Sequence, residues 1–439
     1  MMTSNNLILK KTLTMVLASG YDDGMLPLTE NRAKSSIPFG GKYRIIDIAL
    51  SNCINSGLRR IYILTQYKSD SLHKHIYKAW KIFQRELKEF IYWVPPQLKS
   101  DKFWYSGNAD AVNQNINLLK ENDENLLVLS GNSIYKMDYS KFIEYHNDIK
   151  ADLTISYANL PMKRCKQLNT LKINSNNKIL GFNKNHLTDE TIYSKSNNLM
   201  ANIGIYVFRT KALKEVLNNM HIENLSIVDF AKDVIPYMIH NNFSLAAYPL
   251  KDINEEREAY WADIENIDSY YNANMDLLEE SPGFDLYDEM WQFRTYQGHY
   301  PPVKTISTGN SNITRIHNSL VADGSVISGG TVAKSVLGFK VMVENGAHIS
   351  DSIIMDYCKI GYNSRIRRAI IDKNVVIPEN VSIGFDLEND MKNFLVTDSG
   401  IVMVPKNYVF SDLITQEHSK IDLLEARKRN VTVENIIFN

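Results

Sequence analysis

Glycine and acidic residues follow the first apolar run of the chain, and they are the first residues whose types could bind an anion or a cation. Gly20 and Gly24 flank Asp22 and Asp23, a few residues after Leu17. Glycine lets the backbone approach a phosphate closely, so that N–H groups bind the anion. Two carboxylates repel a polyphosphate, although they could also recruit Mg²⁺ or face the solvent. The loop therefore combines a backbone that can approach an anion with two charges that repel one.

Asp263 is a second acidic candidate. It could ligate a cation, but it also precedes a helical pattern at 267–278, where an acid favours the helix dipole without any further role.

The cysteines Cys53, Cys165 and Cys358 lie far apart and lack metal-ligand spacing. They exclude a disulfide scaffold and are typical of a reducing compartment. We therefore predict a cytoplasmic protein.

Four short apolar runs predict the strands that must position these residues. They read as strands buried on both faces of a parallel sheet. The runs are 13–17, 61–64, 126–129 and 153–157, with helical patterns between them at 69–89 and 140–147. Strands that alternate with helices predict an α/β fold with a mostly parallel sheet. Ligands of such sheets lie beyond the carboxyl ends of the strands, so we expect the site in the loops after Leu17, Leu64 and Leu129.

A six-residue repeat begins after the residue pattern of the chain changes near residue 296. The segment 296–315 contains several glycine and proline residues and predicts a linker between a domain at 1–295 and one at 316–439. Apolar residues then recur at Val326, Val332, Val343, Ile349, Ile360, Ile366, Ile371, Ile377 and Ile383. This period predicts a parallel β-helix, although a run of ordinary short strands is the alternative. Subunit packing commonly covers the open end of a β-helix, so we expect an oligomer.

The composition argues against two classes of function. The 439 residues are 44% hydrophobic, and 49 Lys and Arg against 50 Asp and Glu leave a formal charge of −1. Nucleic-acid-binding proteins normally carry a basic surplus, so we expect no nucleic-acid partner. The early apolar run of about six residues is short against the roughly 20 that span a bilayer. We expect no membrane association.

Several blocks, in chain order, resemble one enzyme family. They are PFGGKYRIID at 38–47, LTQYKS at 64–69, ADAV at 109–112, IYKMDY at 134–139 and YWAD at 260–263. Together they closely resemble the ADP-glucose pyrophosphorylases, the glucose-1-phosphate adenylyltransferases of bacterial glycogen and plant starch synthesis. The resemblance implies a Rossmann-like nucleotidyltransferase domain followed by a left-handed parallel β-helix domain.

The resemblance also implies a reaction. The family joins glucose 1-phosphate to the α-phosphate of ATP, giving ADP-glucose and pyrophosphate, with Mg²⁺ and usually under allosteric control. The sugar phosphate is already an anionic nucleophile, so no general base is required. Catalysis then depends on positioning and on charge neutralisation by cations and metal. A working site needs a phosphate cradle with a cation, carboxylates for Mg²⁺ and polar groups that bind the sugar phosphate.

The cradle and the metal site depart from the family pattern. In the family loop G-G-x-G-x-R-L only Gly20 is kept, and Gly24 stands at the arginine position. The next phosphate-neutralising cation, Lys34, is present in the match to R-A-K. Of the two metal carboxylates, Asp263 is present and Asn132 replaces the other with a neutral amide. The resemblance therefore implies a weakened Mg²⁺ site on Asp263, with Lys34 and Asp263 as catalytic residues.

The resemblance assigns the substrate-binding role to Gly20, Gln66, Tyr105, Lys184, Asn202 and Gly204. The family's E-K-P turn reads Lys-Asn-His at 184–186, which inverts one charge and removes a phosphate cation. Lys184 could serve as a replacement. Buried polar sites lose affinity steeply when a partner is left unpaired, so these changes predict weakened sugar binding.

Effector cations are also partly kept. Arg32, Arg44 and Lys392 match residues that bind phosphorylated effectors in bacterial relatives, whereas Asn31 and Pro38 replace a basic residue and a histidine. The resemblance therefore implies a reduced effector site.

The scaffold is kept while the cradle, the metal site and the sugar site are altered. We therefore predict a subunit of glucose-1-phosphate adenylyltransferase in glycogen biosynthesis that is catalytically impaired and regulatory. It would form a homo-oligomer, or a hetero-oligomer with a catalytic sister subunit. An active adenylyltransferase with a rebuilt site, and a non-catalytic sensor of sugar nucleotides, are the alternatives.

Overall fold

The computed structural model describes residues 4–20, 23–83, 85–97, 104–165, 168–183, 198–253, 259–307 and 313–410. Asp22 and Lys184, two residues of the predicted site, lie outside this part of the chain, as does the end of the predicted β-helix domain.

The amino-terminal domain is built from thirteen strands within the described residues. They are β1 (Thr12–Ala18), β2 (Pro38–Phe39), β3 (Tyr43–Arg44), β4 (Arg60–Thr65), β5 (Phe90–Val94), β6 (Asn125–Ser130), β7 (Ser133–Tyr135), β8 (Leu153–Pro161), β9 (Thr170–Ile173), β10 (Ile179–Asn183), β11 (Asn198–Arg209), β12 (Leu245–Pro249) and β13 (Trp261–Asp263). Its α-helices are α1 (Ser4–Lys10), α2 (Ile45–Asn55), α3 (Asp70–Ala79), α4 (Asn108–Gln114), α5 (Tyr139–Asp148), α6 (Thr210–Ile222), α7 (Ile235–His240) and α8 (Ile267–Met275).

All four predicted strands are confirmed, as β1, β4, β6 and β8. The first half of the main sheet, in the order β5, β4, β1, β6, is parallel. Strand β11 then pairs antiparallel with both β6 and β8, and β12 pairs parallel with β8. Leu13, Met15 and Val16 of β1 have no exposed surface, as expected for a central strand covered on both faces.

The predicted helix at 69–89 is shorter than expected. It is α3, which ends at Ala79, and the edge strand β5 follows the predicted range at residues 90–94. Trp80 is buried directly after the helix, and its indole N–H donates to Asp47 at 2.7 Å. This buried contact ends the helix at a point that periodicity alone does not mark. The other predicted helix, 140–147, is α5, whose first turn is capped by Asp138 accepting from the Ser140 N–H at 2.9 Å.

A left-handed parallel β-helix forms the second domain. Its strands within the described residues are β14 (Lys304–Ile306), β15 (Arg315–His317), β16 (Leu320–Val321), β17 (Val326–Ser328), β18 (Thr331–Ala333), β19 (Val336–Leu337), β20 (Met342–Val343), β21 (His348–Ser350), β22 (Ile353–Ile354), β23 (Lys359–Ile360), β24 (Arg365–Arg367), β25 (Ala369–Ile371), β26 (Val376–Ile377), β27 (Ser382–Ile383), β28 (Leu395–Val396) and β29 (Val402–Val404), with the short helix α9 (Leu387–Asp390) before β28. Equivalent strands of successive coils pair in parallel and form three sheets.

The six-residue period places the inward side chains correctly for all but the first predicted position. Ile327 has no exposed surface, whereas Val326 is half-buried, so the first repeat is out of phase by one residue. The period also misses Leu337 and Ile354, which are fully buried. Strand β14 lies inside the segment 296–315 that we predict as linker, and it pairs with β17.

The two domains pack closely through the turn between β2 and β3. Gly40 and Gly41 have positive φ angles of 56° and 78°, and a Cβ on Gly41 would lie 3.0 Å from the Leu337 carbonyl oxygen of the β-helix. Close by, one guanidinium nitrogen of Arg32 donates to both carboxylate oxygens of Asp372, at 2.8 and 2.7 Å. These contacts fix the amino-terminal domain against the β-helix.

Every helix in the described part of the chain is too short or too polar to cross a membrane.

Candidate active site

The loops that follow β1, β4 and β6 meet at one cleft of about 540 Å³, as the position of ligand sites in parallel sheets predicts. Its described lining consists of Leu17, Ser19, Gly20, Gln66, Tyr105, Ser106, Gly107, Asn108, Ser130, Asn132, Gly204 and Tyr206. Gly20, Gln66, Tyr105 and Gly204 are among the residues predicted to bind substrate. The structure thus brings together four of the predicted substrate-binding residues, which are far apart in sequence.

Gln66 and Tyr105 form a reciprocal pair at one wall of the cleft. The Tyr105 N–H donates to Gln66 Oε1 at 2.6 Å, and Gln66 Nε2 donates back to the Tyr105 carbonyl oxygen at 3.2 Å. Asn115 Nδ2 donates to the Tyr105 hydroxyl at 2.9 Å. Burial raises the pKa of Tyr105, so this hydroxyl stays protonated and is able to donate in turn. Both side chains are therefore held in place before any ligand binds.

Gly107 and Asn108 hold the next part of the lining against residues 228–230, which precede α7 in the chain. Asn108 Nδ2 donates to Asp229 Oδ2 at 2.9 Å, and the Phe230 N–H donates to Asn108 Oδ1 at 2.7 Å. A Cβ on Gly107 would lie only 2.3 Å from the Val228 carbonyl oxygen. Close approach of two backbones, rather than an unusual φ, therefore requires glycine here.

Substitution of Gly107 tests this packing. Gly107→Ala should lower the free energy of unfolding by about 1–3 kcal/mol, because the new methyl group forces the backbone of this loop away from Val228. Urea denaturation would measure the change. Gly181→Ala is the matched control, since a Cβ there meets Lys172 at an ordinary 3.6 Å. An equal loss in both variants would contradict the requirement for close approach.

Asn202 lies beside the cleft floor, and its amide is engaged within the protein. Its Nδ2 donates to the Tyr206 hydroxyl at 2.8 Å, and its Oδ1 accepts from the Gly204 N–H at 3.1 Å. The β-sheet register of β11 shifts between Asn202 and Tyr206, which turns Gly204 and Tyr206 towards the cleft. Asn202 thus shapes the floor through Tyr206.

The two predicted metal positions lie at a pair of strands: Asp263 is the last residue of β13, and Asn132 directly precedes β7. Strands β7 and β13 run antiparallel, with Asp263 opposite Ser133, and the Ile264 N–H donates to the Asn132 carbonyl oxygen at 3.4 Å. Ser133 Oγ donates to Asp263 Oδ1 at 3.3 Å. Asn132 Oδ1 is buried and accepts no hydrogen bond. One carboxylate and one free amide oxygen are therefore the oxygen donors available at this place.

Lys34 and Gly24 are not among the described lining residues of the cleft. Lys34 is buried in a 3₁₀ turn, Lys34–Ser36, and Gly24 is exposed in another, Asp23–Met25. Asp23 is exposed as well. The Asp23 side chain therefore has access to solvent, which is one of the alternatives that the sequence leaves open for the acidic loop.

The described lining of the cleft contains no charged side chain. All twelve residues are apolar, hydroxyl-bearing, amide-bearing or glycine. In the described residues, moreover, no three His, Cys, Asp or Glu side chains approach one another closely enough to hold a metal ion. The cleft is thus shaped for a polar ligand but offers little charge to a polyphosphate.

A second cavity, of about 380 Å³, lies between the domains. Its lining includes the cations Lys42, Arg44, Lys74, Lys78, Lys373 and Lys406 and the acids Asp70 and Asp356. Arg44, predicted to bind an effector, lies in this cavity and donates to the Ser36 carbonyl oxygen. Arg32 lies near Arg44 but is 4% exposed and paired with Asp372. Lys392 is exposed near α9 and is not among the described lining residues.

Sequence reasoning missed several residues of the cleft. Ser19, Ser106, Asn108, Ser130 and Tyr206 line it but were not predicted. Ser19 and Ser130 stand at the carboxyl ends of β1 and β6, so their position alone could have indicated them. Tyr206 offers no such signal, because it faces the cleft only through the shift of register in β11.

Comparison with known proteins agrees with this geometry. The nucleotidyl transferase family matches residues 13–280, and the GlmU-like C-terminal hexapeptide family matches residues 301–404. The fold and the cleft therefore define a nucleotidyltransferase joined to a hexapeptide β-helix.

Relatives of known activity narrow the class. The glucose-1-phosphate adenylyltransferase 2 of Vibrio cholerae is 41% identical over 406 residues, which are 92% of this chain and 100% of that protein. The glucose-1-phosphate adenylyltransferases of Rhodopirellula baltica and Koribacter versatilis are 38% and 40% identical, over 94% and 91% of this chain and 94% and 96% of theirs. The chain belongs to the glucose-1-phosphate adenylyltransferase family.

Proposed function

We propose that this chain is a regulatory subunit of glucose-1-phosphate adenylyltransferase in glycogen biosynthesis, with little turnover of its own. It would bind ATP and glucose 1-phosphate, or ADP-glucose, in the cleft beyond β1, β4 and β6. The observation that carries the proposal is the absence of any charged side chain from the described lining of that cleft.

The absence of charged side chains matters because the family's reaction is a phosphoryl transfer. The attacking and leaving groups are both anionic, so the barrier falls only when cations stabilise the charge. Gly24 supplies no guanidinium at the family's arginine position, and Asn132 supplies no negative ligand for a metal. The amide of Asn202 is engaged with Tyr206 and Gly204, so it is poorly available to a sugar phosphate. The backbone, hydroxyl and amide groups of the cleft can bind a ligand without catalysing fast chemistry.

Magnesium, which the family uses, would be held by Asp263 and Asn132. The buried and unpaired Oδ1 of Asn132 fits an oxygen ligand, and Mg²⁺ keeps much of its water shell when only one or two protein groups bind it. When bound, the ion would neutralise phosphate charge. A site with one carboxylate is weaker than one with two, which agrees with low turnover.

The interdomain cavity supports the regulatory part of the proposal. Among the described residues that line it, six are Lys or Arg and two are Asp, a formal surplus of four positive charges. Such a surplus suits a small phosphorylated metabolite. The cavity touches both domains, so its ligand could change how they pack. We further propose that the chain assembles as an oligomer, with itself or with a catalytic sister subunit.

An activity assay of the isolated chain tests the proposal. Purified alone, with ATP, glucose 1-phosphate and Mg²⁺, it should form ADP-glucose at less than about 1% of the rate of an intact relative. Mixed with a catalytic sister subunit, it should change that subunit's apparent substrate affinity or effector response. Fast turnover by the isolated chain would contradict the proposal.

Two substitutions distinguish this proposal from the alternative of an active adenylyltransferase with a rebuilt site. In a working site that relies on Lys34 and Asp263, either Lys34→Ala or Asp263→Ala would abolish pyrophosphate exchange. On our proposal the isolated chain has little exchange to lose, so neither substitution changes its exchange rate appreciably.

A further inference from the structure

One outer face of the β-helix carries arginine and histidine side chains without acids. The sheet of β15, β18, β21, β24 and β27 turns alternate side chains into the core of the domain and the others outward. Exposed on the outer side are Arg315 and His317 of β15, His348 of β21, and Arg365 and Arg367 of β24. No acidic residue stands at an outward position of these described strands. We call these five residues the arginine face.

Two arginines of this face are held side by side on one aromatic ring. The guanidinium carbons of Arg365 and Arg367 lie 4.4 and 4.6 Å from the centre of the Phe385 ring. Stacking on an aromatic ring fixes a guanidinium without neutralising it. Neither arginine forms a salt bridge with a residue of the described chain. Two positive charges held together repel, so carboxylates of a partner would bind here favourably.

A surface of opposite charge lies in the amino-terminal domain. Residues 276–290, which we call the acidic segment, contain six Asp or Glu residues and no Lys or Arg. Glu279, Glu280 and Glu289 of this segment are exposed. None of these three forms a salt bridge within the part of the chain that the structure describes. Both charged surfaces are therefore left without a counter-charge inside one chain.

The acidic segment also exposes apolar groups. Tyr287 and Met290 are 76% and 86% exposed, the largest values for any large apolar side chain among the described residues. Aromatic residues, Met and Arg are enriched at contacts between subunits, and exposed apolar groups of this size are typical of such contacts. Phe385, half-buried against its two arginines, gives the arginine face an apolar centre as well. The two surfaces are thus complementary in charge and alike in apolar content.

We infer that the acidic segment of one copy of this chain binds the arginine face of a second copy. The segment's exposed glutamates accept hydrogen bonds from the guanidinium groups of Arg365 and Arg367, and its exposed apolar side chains cover Phe385. A second copy fits this contact because it brings both of the charges that one chain leaves without a partner. The inference rests on the proposal that the chain forms an oligomer, and it specifies the surfaces that meet.

Charge reversal in the full chain tests the contact. Arg365→Glu with Arg367→Glu, and separately Glu279→Lys with Glu280→Lys, should each weaken self-association about 30-fold or more, because like charges then face each other. An equal mixture of the two double variants should assemble as the parent chain does, since opposite charges meet again between them. Sedimentation equilibrium measures the association constants, and that of the parent should fall as salt is added.

Lys211→Glu with Lys232→Glu is the matched control. It makes the same change of net charge at two exposed lysines of the amino-terminal domain and should alter the association constant less than threefold. Circular dichroism checks that each variant is folded, and the glutamate variant carries the test if the arginine variant does not fold.

The outcomes separate this contact from the oligomer itself. Reversed variants that assemble like the parent, or a mixture that stays dissociated, would overturn the inference while the oligomer stands. The same holds if the lysine control weakens association as much as the reversed pairs do. A parent chain that is monomeric at every concentration would overturn the inference together with self-assembly.

Discussion

Gly24→Arg combined with Asn132→Asp should raise the rate of ADP-glucose formation by the isolated chain about 100-fold or more. The first substitution returns a guanidinium to the loop after β1, where it can bind phosphate oxygens in a bidentate manner. The second places a carboxylate near Asp263, directly before the strand β7 that pairs with β13. Together they restore the two sources of positive charge that the cleft lacks.

The scaffold around these positions is suited to the change. Gln66, Tyr105 and Asn108 are already fixed by hydrogen bonds, so this wall of the cleft does not have to be rebuilt. Position 132 ends in a buried oxygen without a partner, which a carboxylate can replace with little change of volume. In the absence of metal, the new carboxylate would repel Asp263, so the gain should depend on Mg²⁺ concentration.

Charge rather than side-chain size is the proposed cause, and matched variants separate the two. Gly24→Met with Asn132→Asp, and Gly24→Arg alone, should each recover less than the full pair. A coupled assay for pyrophosphate, followed across a Mg²⁺ titration, measures all of them. If the parent chain is as fast as the double variant, the cleft already works by another route and the proposed impairment is wrong.

The sequence predicted the layers of the fold well because burial leaves a periodic pattern. The aliphatic runs that became β1, β4, β6 and β8 follow from strands covered on both faces. Strand direction beyond β6 was not readable, since an apolar run such as β8 has the same pattern in a parallel or an antiparallel pair. The first β-helix repeat was misplaced by one residue at Val326, because the coil from Val326 to Met342 has one residue fewer than the next.

The site was predictable in part for a similar reason. The three loops at the carboxyl ends of β1, β4 and β6 follow from topology, and they do line the cleft. The environment of each side chain does not follow from topology. The resemblance assigns Arg32 an effector role, but only three-dimensional packing reveals that Asp372, 340 residues away, binds its guanidinium. The sequence alone gave no reason to single out Asp356, because a single acid in a β-helix repeat is ordinary. Only the structure shows that Lys373 and Arg44 surround it.

Arg32→Met should lower the free energy of unfolding by about 3–5 kcal/mol, the second large effect that we expect. Arg32 and Asp372 are 4% and 1% exposed on their side chains, and the Met355 sulfur lies 3.8 Å from Arg32 Nη1. Removal of the guanidinium leaves a carboxylate with almost no contact with water. Its charge is then compensated only by the Lys373 N–H, at 2.7 Å, and by nearby cations.

Removal of both charges separates the effect of the ion pair on stability from the effect of burying these two positions. Arg32→Met with Asp372→Leu should recover most of the loss, because apolar groups of similar volume can replace a buried ion pair at little net cost. Lys74→Met, which breaks the exposed pair with Asp70, should cost less than about 1 kcal/mol. Urea denaturation of the four proteins gives these differences. A loss below 1 kcal/mol in Arg32→Met would mean that Asp372 reaches water or another cation, and Arg32 would then be available to an effector without first breaking an ion pair between the domains.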